Sequence, residues 1–411
     1  MSEQPQLSIV SYRKDSYITV ESIQKAECFY IIQQGRVKVT RNVGIKGEDE
    51  EVFVAGDFFG VVSALSFNSH IESAQALTDV VLIAVRPQQY VTLIQKNTQV
   101  AVKILMQLSA RLRRLDEALT KYTLKKSKAE EDGPSRLFDI AEYYLKQKQY
   151  SQAFYVYTSY LKYCPDGVNC AAAAKRLEGL ASYAEGVKKS LEKGELNRTY
   201  PKDHMLFAEG EPGYELFIIQ SGSVKITKII DGKEVLLGVL KAGDIFGEMA
   251  ILEDKPRTAT VVAAEECAVM AVTKANFGIL ISNQPQIVSK ITTLLAGRIW
   301  LVFKQVENTF IINPMGRIYG AMLIQLEKNQ VDLESTGPYV FGFTWDDFVS
   351  MVGLPEKEGY MLLGELRKDK NIIVNNGNIS ATSVQGVVKY AEYYRKMDKI
   401  EKAKQGNKPK N

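Results

Sequence analysis

The sequence predicts a multidomain α+β protein. It would hold two copies of a small antiparallel β-barrel, a helical insert between them, and a mixed helix-and-strand segment at the C-terminal end. Two observations carry this. The first is an ungapped internal repeat. Phe29 to Thr40 reads FYIIQQGRVKVT and Leu216 to Thr227 reads LFIIQSGSVKIT, an offset of 187 residues. The same offset carries Gly56-Asp57-Phe58-Phe59-Gly60 onto Gly243-Asp244-Ile245-Phe246-Gly247, and Ala84-Val85 onto Ala271-Val272. The second is the texture of both copies. Short β-rich runs are broken by glycine turns, as a small antiparallel barrel requires. Each copy then passes into a helical stretch, Val100 to Leu119 in the first and Gln286 to Phe310 in the second.

Composition frames the rest. A chain of 411 residues predicts three or four domains. A hydrophobic share of 45% with 24% charged residues is that of a soluble globular chain. No uninterrupted apolar run is long enough to span a bilayer, and Met1 to Lys14 lacks the charged-then-apolar pattern of a signal peptide. Cys28, Cys164, Cys170 and Cys267 show no metal-ligand or C-x-x-C spacing. They read as packing residues in a reduced, cytoplasmic setting. The net charge of +4 does not by itself argue for nucleic acid.

The chemistry concentrates in residues 243 to 261, GDIFGEMAILEDKPRTATV. Gly243 and Gly247 let the backbone approach an anion at positive φ. The run Gly247-Glu248-Met249-Ala250 can open a helix whose free N–H groups form an anion site. Arg257 offers a planar, permanently charged fork suited to phosphate. Glu248 offers an acceptor for a sugar hydroxyl, and the Thr258 hydroxyl can serve either phosphate or base. The stretch resembles the phosphate-binding cassette of cyclic nucleotide-binding domains, the family of the catabolite activator protein and the kinase regulatory subunits. Glu209-Gly210-Glu211-Pro212-Gly213 and Ser221-Gly222-Ser223-Val224 match that family's turn glycines. The resemblance implies a jelly-roll (double-stranded β-helix) barrel with cAMP or cGMP as regulatory ligand. It also implies a binding set of Phe246, Gly247, Glu248, Met249, Ala250, Arg257, Thr258 and Ala259. In the family, the helix after the barrel caps the base and forms the dimer seam. Here Trp300 and Phe303 would be the cap. The stripe Val288, Leu295, Ile299, Val302, Val306 and Phe310 would be the seam of a homodimer, unless the first copy fills that surface within one chain.

The repeat supplies an internal control. At the offset of 187, Glu248 falls on Val61, Arg257 on His70 and Thr258 on Ile71. Val61 cannot accept a hydrogen bond from a ribose, and His70 is largely neutral near pH 7. The first copy therefore reads as a barrel that no longer binds cyclic nucleotide, with His70 a loop or packing residue; the alternative is a different anion held partly by His70.

Between the copies, Lys121 to Asp132 is a charged linker closed by Gly133-Pro134. From Pro134 the spacing of Leu137, Ile140, Ala141, Tyr144, Ala153, Tyr157 and Pro165 resembles a single tetratricopeptide repeat (TPR). One such unit cannot bury its face alone. It covers a domain junction, or it offers a protein partner a groove at Tyr143-Tyr144 and Tyr155-Val156-Tyr157.

The C-terminal segment resembles the winged helix of Crp/Fnr regulators. Pro314 to Ile318 opens its first helix, Thr344 caps a second, Val352-Gly353-Leu354 is the turn and Lys357 to Lys368 the recognition helix. Asn371 to Ile379 reads as strand, Asn-Gly turn and strand, the wing. The departure lies where DNA would be read: Glu356, Glu358 and Met361 replace the family's base-reading pattern, and Gly359 weakens the helix. The DNA contacts left are Lys357, Tyr360, Arg367 and Lys368. The domains expected are residues 1–122, 123–195, 196–311, 312–391 and a basic, disordered tail at 392–411. No phosphate loop, nucleophile elbow or metal-ligand set is present, so an enzyme is not expected. The reading is a cAMP-sensing Crp-like transcriptional regulator. The alternative is a cyclic-nucleotide-dependent adaptor that grips proteins rather than specific DNA.

Overall fold

The structure, a computed structural model, describes residues 7–21, 25–41, 45, 49–124, 133–184, 187, 196–230, 232–248, 255–273, 276, 283–375 and 377–406. The chain divides into two compact units. Residues 1–90, 111–127 and 295–411 form one, and residues 91–110 and 128–294 the other. The five consecutive domains expected from the sequence are thus regrouped, and the two long helices that follow the barrels each contribute to both units.

The first barrel comprises β1 (Ser8–Tyr12), β2 (Tyr17–Thr19), β3 (Phe29–Gln34), β4 (Val37–Thr40), β5 (Glu50–Phe53), β6 (Phe58–Phe59), a short helix α1 (Val61–Leu65), β7 (Ser73–Ala76) and β8 (Val80–Val85). Its antiparallel sheets run β1-β8-β3-β6 and β2-β7-β4-β5. Alternation sends Ile32, Val37, Val39, Ala74 and Leu82 into a shared core. Helices α2 (Tyr90–Lys96) and α3 (Thr98–Leu124) follow, so the helix runs into the stretch expected as linker.

The insert is a helical hairpin, α4 (Leu137–Lys146) and α5 (Tyr150–Tyr163), followed by α6 (Cys170–Gly179). Ala141 and Ala153 are fully buried and let the helices approach closely. The tyrosine cluster is not an open groove. Tyr144, Tyr155 and Tyr157 are buried, and both Tyr143 and Tyr144 bond Glu234 of the second barrel. The face expected for a protein partner is covered within the chain.

The second barrel repeats the first. Its strands are β9 (Asn197–Tyr200), β10 (Met205–Phe207), β11 (Glu215–Ser221), β12 (Ser223–Ile230), β13 (Lys233–Lys241), β14 (Ile245–Phe246), β15 (Thr260–Ala263) and β16 (Cys267–Thr273). The sheets run β9-β16-β11-β14 and β10-β15-β12-β13, the order of the first barrel. Register repeats as well: Tyr30 pairs with Phe59, and Phe217 with Phe246. A long helix, α7 (Pro285–Thr309), starts 187 residues after α3.

By length and mean hydropathy α7 meets the criterion for a bilayer span, although Lys290, Arg298 and Lys304 interrupt every apolar run; half of its most apolar window is buried in the protein. Val288, Leu295, Ile299 and Val306 are all buried. Within the first unit, Arg111 of α3 lies over the Phe303 ring, and Tyr122 packs edge-on to Phe310. The stripe expected as a homodimer seam is covered inside one chain.

The C-terminal domain contains α8 (Pro314–Lys328), β17 (Tyr339–Thr344), α9 (Trp345–Met351), α10 (Glu356–Leu366), β18 (Ile372–Asn375), β19 (Asn378–Ala381) and α11 (Val384–Gly406). Its sheet runs β17-β19-β18, and Met322, Trp345, Phe348, Leu366 and Ile379 fill the core. Asn313 caps α8 by accepting from the Gly316 N–H, and Thr344 and Asp347 form a capping box on α9. Gly359, read as a weak point, is a packing requirement. A Cβ there would lie 2.8 Å from Val349 Cγ2, and Trp345 Nε1 donates to its carbonyl. Asn376 of the expected wing turn lies outside the described residues; Gly377 sits at φ +81°.

The tail is a correction. Residues 392–406 belong to α11 rather than to a disordered segment. Val384, Val387 and Ala391 bury one face, Asp398 accepts from the Ile312 N–H, and Lys402 donates to the Phe310 carbonyl. Residues 407–411 lie outside the described residues.

Candidate functional site

The site grows from the loop that joins β14 to β15. Gly247 closes β14 at φ +77°, a conformation that favours glycine. Met249 and Ala250, expected to supply anion-binding N–H groups, lie outside the described residues, as do residues 251–254. The chain returns at Lys255, and the loop is pinned by main-chain bonds: Arg257 N–H donates to Glu211 O at 2.8 Å, and Gly210 N–H to Arg257 O at 2.9 Å.

These bonds turn Arg257 inward. Its guanidinium carbon lies 4.1 Å from the centre of the Phe207 ring. Nη1 donates to Gly247 O and Nη2 to Glu215 O, each at 2.7 Å. Nε is buried with no hydrogen-bond partner among the described residues. A guanidinium carries five N–H donors, so unused donors remain. Burial pulls the Arg257 pKa down to about 10, against the opposing pull of Glu211, Tyr155, Glu215 and Glu248. The result is a desolvated cation at the wall of a small cavity, which Arg198, Glu211, Glu215 and Phe217 also line.

Glu211 and Glu215 are held differently. Arg198 grips Glu215 bidentately, at 2.9 and 2.6 Å. Glu211 is buried and accepts from Tyr155 Oη at 3.3 Å and from Ser159 Oγ at 2.8 Å, both on α5. Burial, with Glu211 alongside, pushes the Tyr155 hydroxyl well above its ordinary value, so it remains a donor. The insert thus supports the acid that backs the Arg257 loop. Arg136, at the start of the insert, pairs with buried Glu209 at 3.3 Å, as Lys228 does at 3.2 Å.

Among the described residues of the expected binding set, Arg257 lines this cavity and the others do not. Phe246 is a core residue stacked on Phe217. Glu248 is buried beside Gly247, while Thr258 and Ala259 are half-buried in the same loop. Trp300 and Phe303, expected as a base cap, are buried in the first unit, where Trp300 Nε1 donates to Ser69 O at 3.2 Å. That bond takes the indole's one polar group. Lys357, Tyr360, Arg367 and Lys368 are exposed along and just after α10, with Met361 beside them. Arg198, Glu211 and Glu215 were missed. The repeat held a signal for two of them: at the offset of 187, the first copy has Ser11 and Cys28 where the second has Arg198 and Glu215.

At the matching place in the first barrel, Gly60 has the conformation of Gly247, at φ +78°. Val61 and Ile71 are buried, and burial lowers the His70 pKa, so no cation stands where Arg257 stands. The Gly60 N–H instead donates to Glu72 Oε1 at 2.7 Å.

The cyclic nucleotide-binding domain profile matches this chain twice, over residues 9–97 and 197–284. The protein therefore contains two cyclic nucleotide-binding domains. A relative in Mycobacterium tuberculosis, a CRP-like cAMP-activated global transcriptional regulator, is 33% identical over 130 residues; the match takes in 31% of this chain and 58% of that protein. The cAMP-activated global transcriptional regulator CRP of Salmonella typhimurium is 28% identical over 180 residues, 43% of this chain and 85% of its own. The chain thus spans little more than half the length of the mycobacterial relative. Among solved structures, the c-di-GMP responsive global regulator CLP of Xanthomonas campestris aligns over 49% of this chain and 99% of its own, at 19% identity and a TM-score of 0.37.

Proposed function

We propose that the second barrel binds a cyclic nucleotide, cAMP before cGMP, and that the chain is a cytoplasmic regulator of transcription whose C-terminal domain is a winged helix acting on DNA. One observation carries the reading: Arg257 is a buried cation with an unused donor at the wall of a cavity, in the loop where the first barrel has lost its counterpart. A cyclic phosphate would complete its hydrogen bonding and its charge. Main-chain N–H groups from Gly247 to Ala250 would share the phosphate. Buried Glu248 would accept from the ribose 2′-hydroxyl, and Thr258 would assist. The cAMP named for the relatives sets the first ligand to try. Ligand binding draws the loop inward and shifts α7, by no more than the ligand's preference between the two states. The insert, a single tetratricopeptide-like unit, backs the site through Tyr155 and Ser159.

A second reading rests on α10. Tyr360 and Met361 are 59% and 70% exposed on the face that would enter the major groove. An apolar face there fits a cyclic-nucleotide-dependent adaptor that grips a protein.

Calorimetric titration of the chain with cAMP, then cGMP, tests the ligand. Binding of one nucleotide per chain is expected. Arg257→Ala should weaken it by roughly ten- to a hundredfold, since a hydrogen bond to a charged group is worth about 1.5–3 kcal/mol. A chain that takes up neither nucleotide would sink the proposal.

A further inference from the structure

The first barrel holds an anion of its own. Glu72 is 2% exposed, inside a barrel whose ligand groups are gone. One carboxylate oxygen accepts from the Gly60 N–H at 2.7 Å. The other accepts from Arg41 Nε at 2.8 Å and lies 3.5 Å from Arg111 Nη1. Gly60 is the counterpart of Gly247, whose N–H is assigned above to the ligand phosphate. Glu72 is the counterpart of Ala259, a small neutral side chain. The two copies thus differ by a coordinated exchange: against the strand-ending glycine one sets an arginine, the other an acid.

The segment leading into Glu72 carries other parts of the first unit. Ile71 N–H donates to Ser63 Oγ, and Asn68 N–H to Ser63 O, which folds the loop 66–71 onto α1. Ser69 O accepts from the Trp300 indole of α7, and Asn68 Oδ1 accepts from Gln330, at the end of the first C-terminal helix. Lys25, beside this loop, donates to Gln330 Oε1 at 2.8 Å.

We propose that the first barrel is self-liganded: the Glu72 carboxylate occupies the place of a ligand phosphate and keeps loop 66–71 in the form that seats Trp300 and Gln330. The inference rests on the phosphate reading of Gly247. The first copy is then a permanently occupied anchor for the C-terminal domain, and the second copy is the one a soluble ligand can change.

Removing the internal anion tests this, with inorganic phosphate as the probe. The full-length Glu72→Ala chain should take up one phosphate per chain that the wild type does not, by calorimetry at millimolar phosphate, and should lose that uptake when Arg111→Ala is added. In a Trp345→Phe background, Trp300 is the sole tryptophan. Its emission should shift red in Glu72→Ala and return on adding phosphate. Glu72→Gln, which keeps the shape and an acceptor for Gly60, should show the red shift in smaller measure. If Glu72→Ala folds only with phosphate present, the same conclusion follows from refolding. If Glu72→Ala takes no extra phosphate, or if Trp300 emission is unmoved in both variants, Glu72 is an ordinary buried ion-pair partner and the proposal falls. The functional reading fails separately: a wild-type chain that binds no cyclic nucleotide would sink that reading, while extra phosphate uptake by Glu72→Ala would still stand.

Discussion

Arg257 and Glu72 are opposite answers to one local problem, which is what to place against the glycine that ends a barrel strand. In the second barrel a Cβ on Gly247 would stand 2.6 Å from Arg257 Nη1, at a φ of +77°. Gly247→Ala therefore has two costs, a left-handed backbone for an L-residue of about 1–2 kcal/mol and a displaced guanidinium. It should weaken cyclic nucleotide binding by about tenfold or more in calorimetry and leave the far-ultraviolet circular dichroism near wild type. At Glu72, burial alone would raise the pKa, but Arg41 and Arg111 overcome it and hold the carboxyl at about 2, below its ordinary 4.5. A depressed pKa contributes stability that is present above the unfolded value and is lost as pH falls through the folded one. The gap in urea midpoint between wild type and Glu72→Gln should thus be full above pH 4.5 and close between 4.5 and about 2. A gap that persists unchanged to pH 2 would show that the charge of Glu72 is not what stabilises the fold.

Among the elements, α5 does more than fill a junction. Its Tyr155 and Ser159 hydroxyls are donors to both oxygens of Glu211, a residue with 1% of its surface exposed. Tyr155→Phe removes a hydroxyl that faces both the buried Glu211 carboxylate and the Leu206 carbonyl, which costs about 1–3 kcal/mol. Urea unfolding of the Tyr155→Phe chain should show that loss, and nucleotide affinity should fall with it if Glu211 positions the Arg257 loop. An unchanged affinity would limit α5 to a purely structural part. The strands were legible because the repeat states the same barrel twice: every strand pairing of one copy recurs in the other. The cap at Thr344 was legible for a local reason, since a cap depends on residues three apart. What α7 packs against was not. Trp300 sits on an apolar stripe that serves equally as base cap, dimer seam or core, and its partner Ser69 is 231 residues away in sequence. The tail misread has a similar cause. Lysine-rich composition from Lys389 to Lys410 suggested a solvated chain, yet Val384, Val387 and Ala391 keep a helical period, and the lysines from Lys389 to Lys404 are exposed on the other faces.

Across the whole molecule, the candidate site was legible at Arg257 and Gly247 because a glycine and an arginine at that spacing stand out in the sequence, and the structure brings the two together. Its acidic wall was not, because Glu211 and Glu215 act through burial, which spacing does not reveal. The proposed DNA contact turns on a different kind of surface. Lys357, Tyr360, Arg367 and Lys368 are exposed together, and the C-terminal domain places them on and just beyond one helix. If this face meets DNA, the lysines and arginine bind phosphate, and affinity must fall with salt by roughly 0.9 in log–log slope for each phosphate neutralised. Titrating labelled random duplex with the cAMP-loaded chain across a salt series should give such a slope. Lys368→Ala should lower it by about 1 and weaken binding evenly across sequences. Tyr360→Ala should leave the slope unchanged, since it removes no charge. Duplex affinity that does not depend on salt, or is absent with and without cAMP, would end the DNA reading. The exposed Tyr360 and Met361 would then mark the face of an adaptor, to be sought with a protein partner.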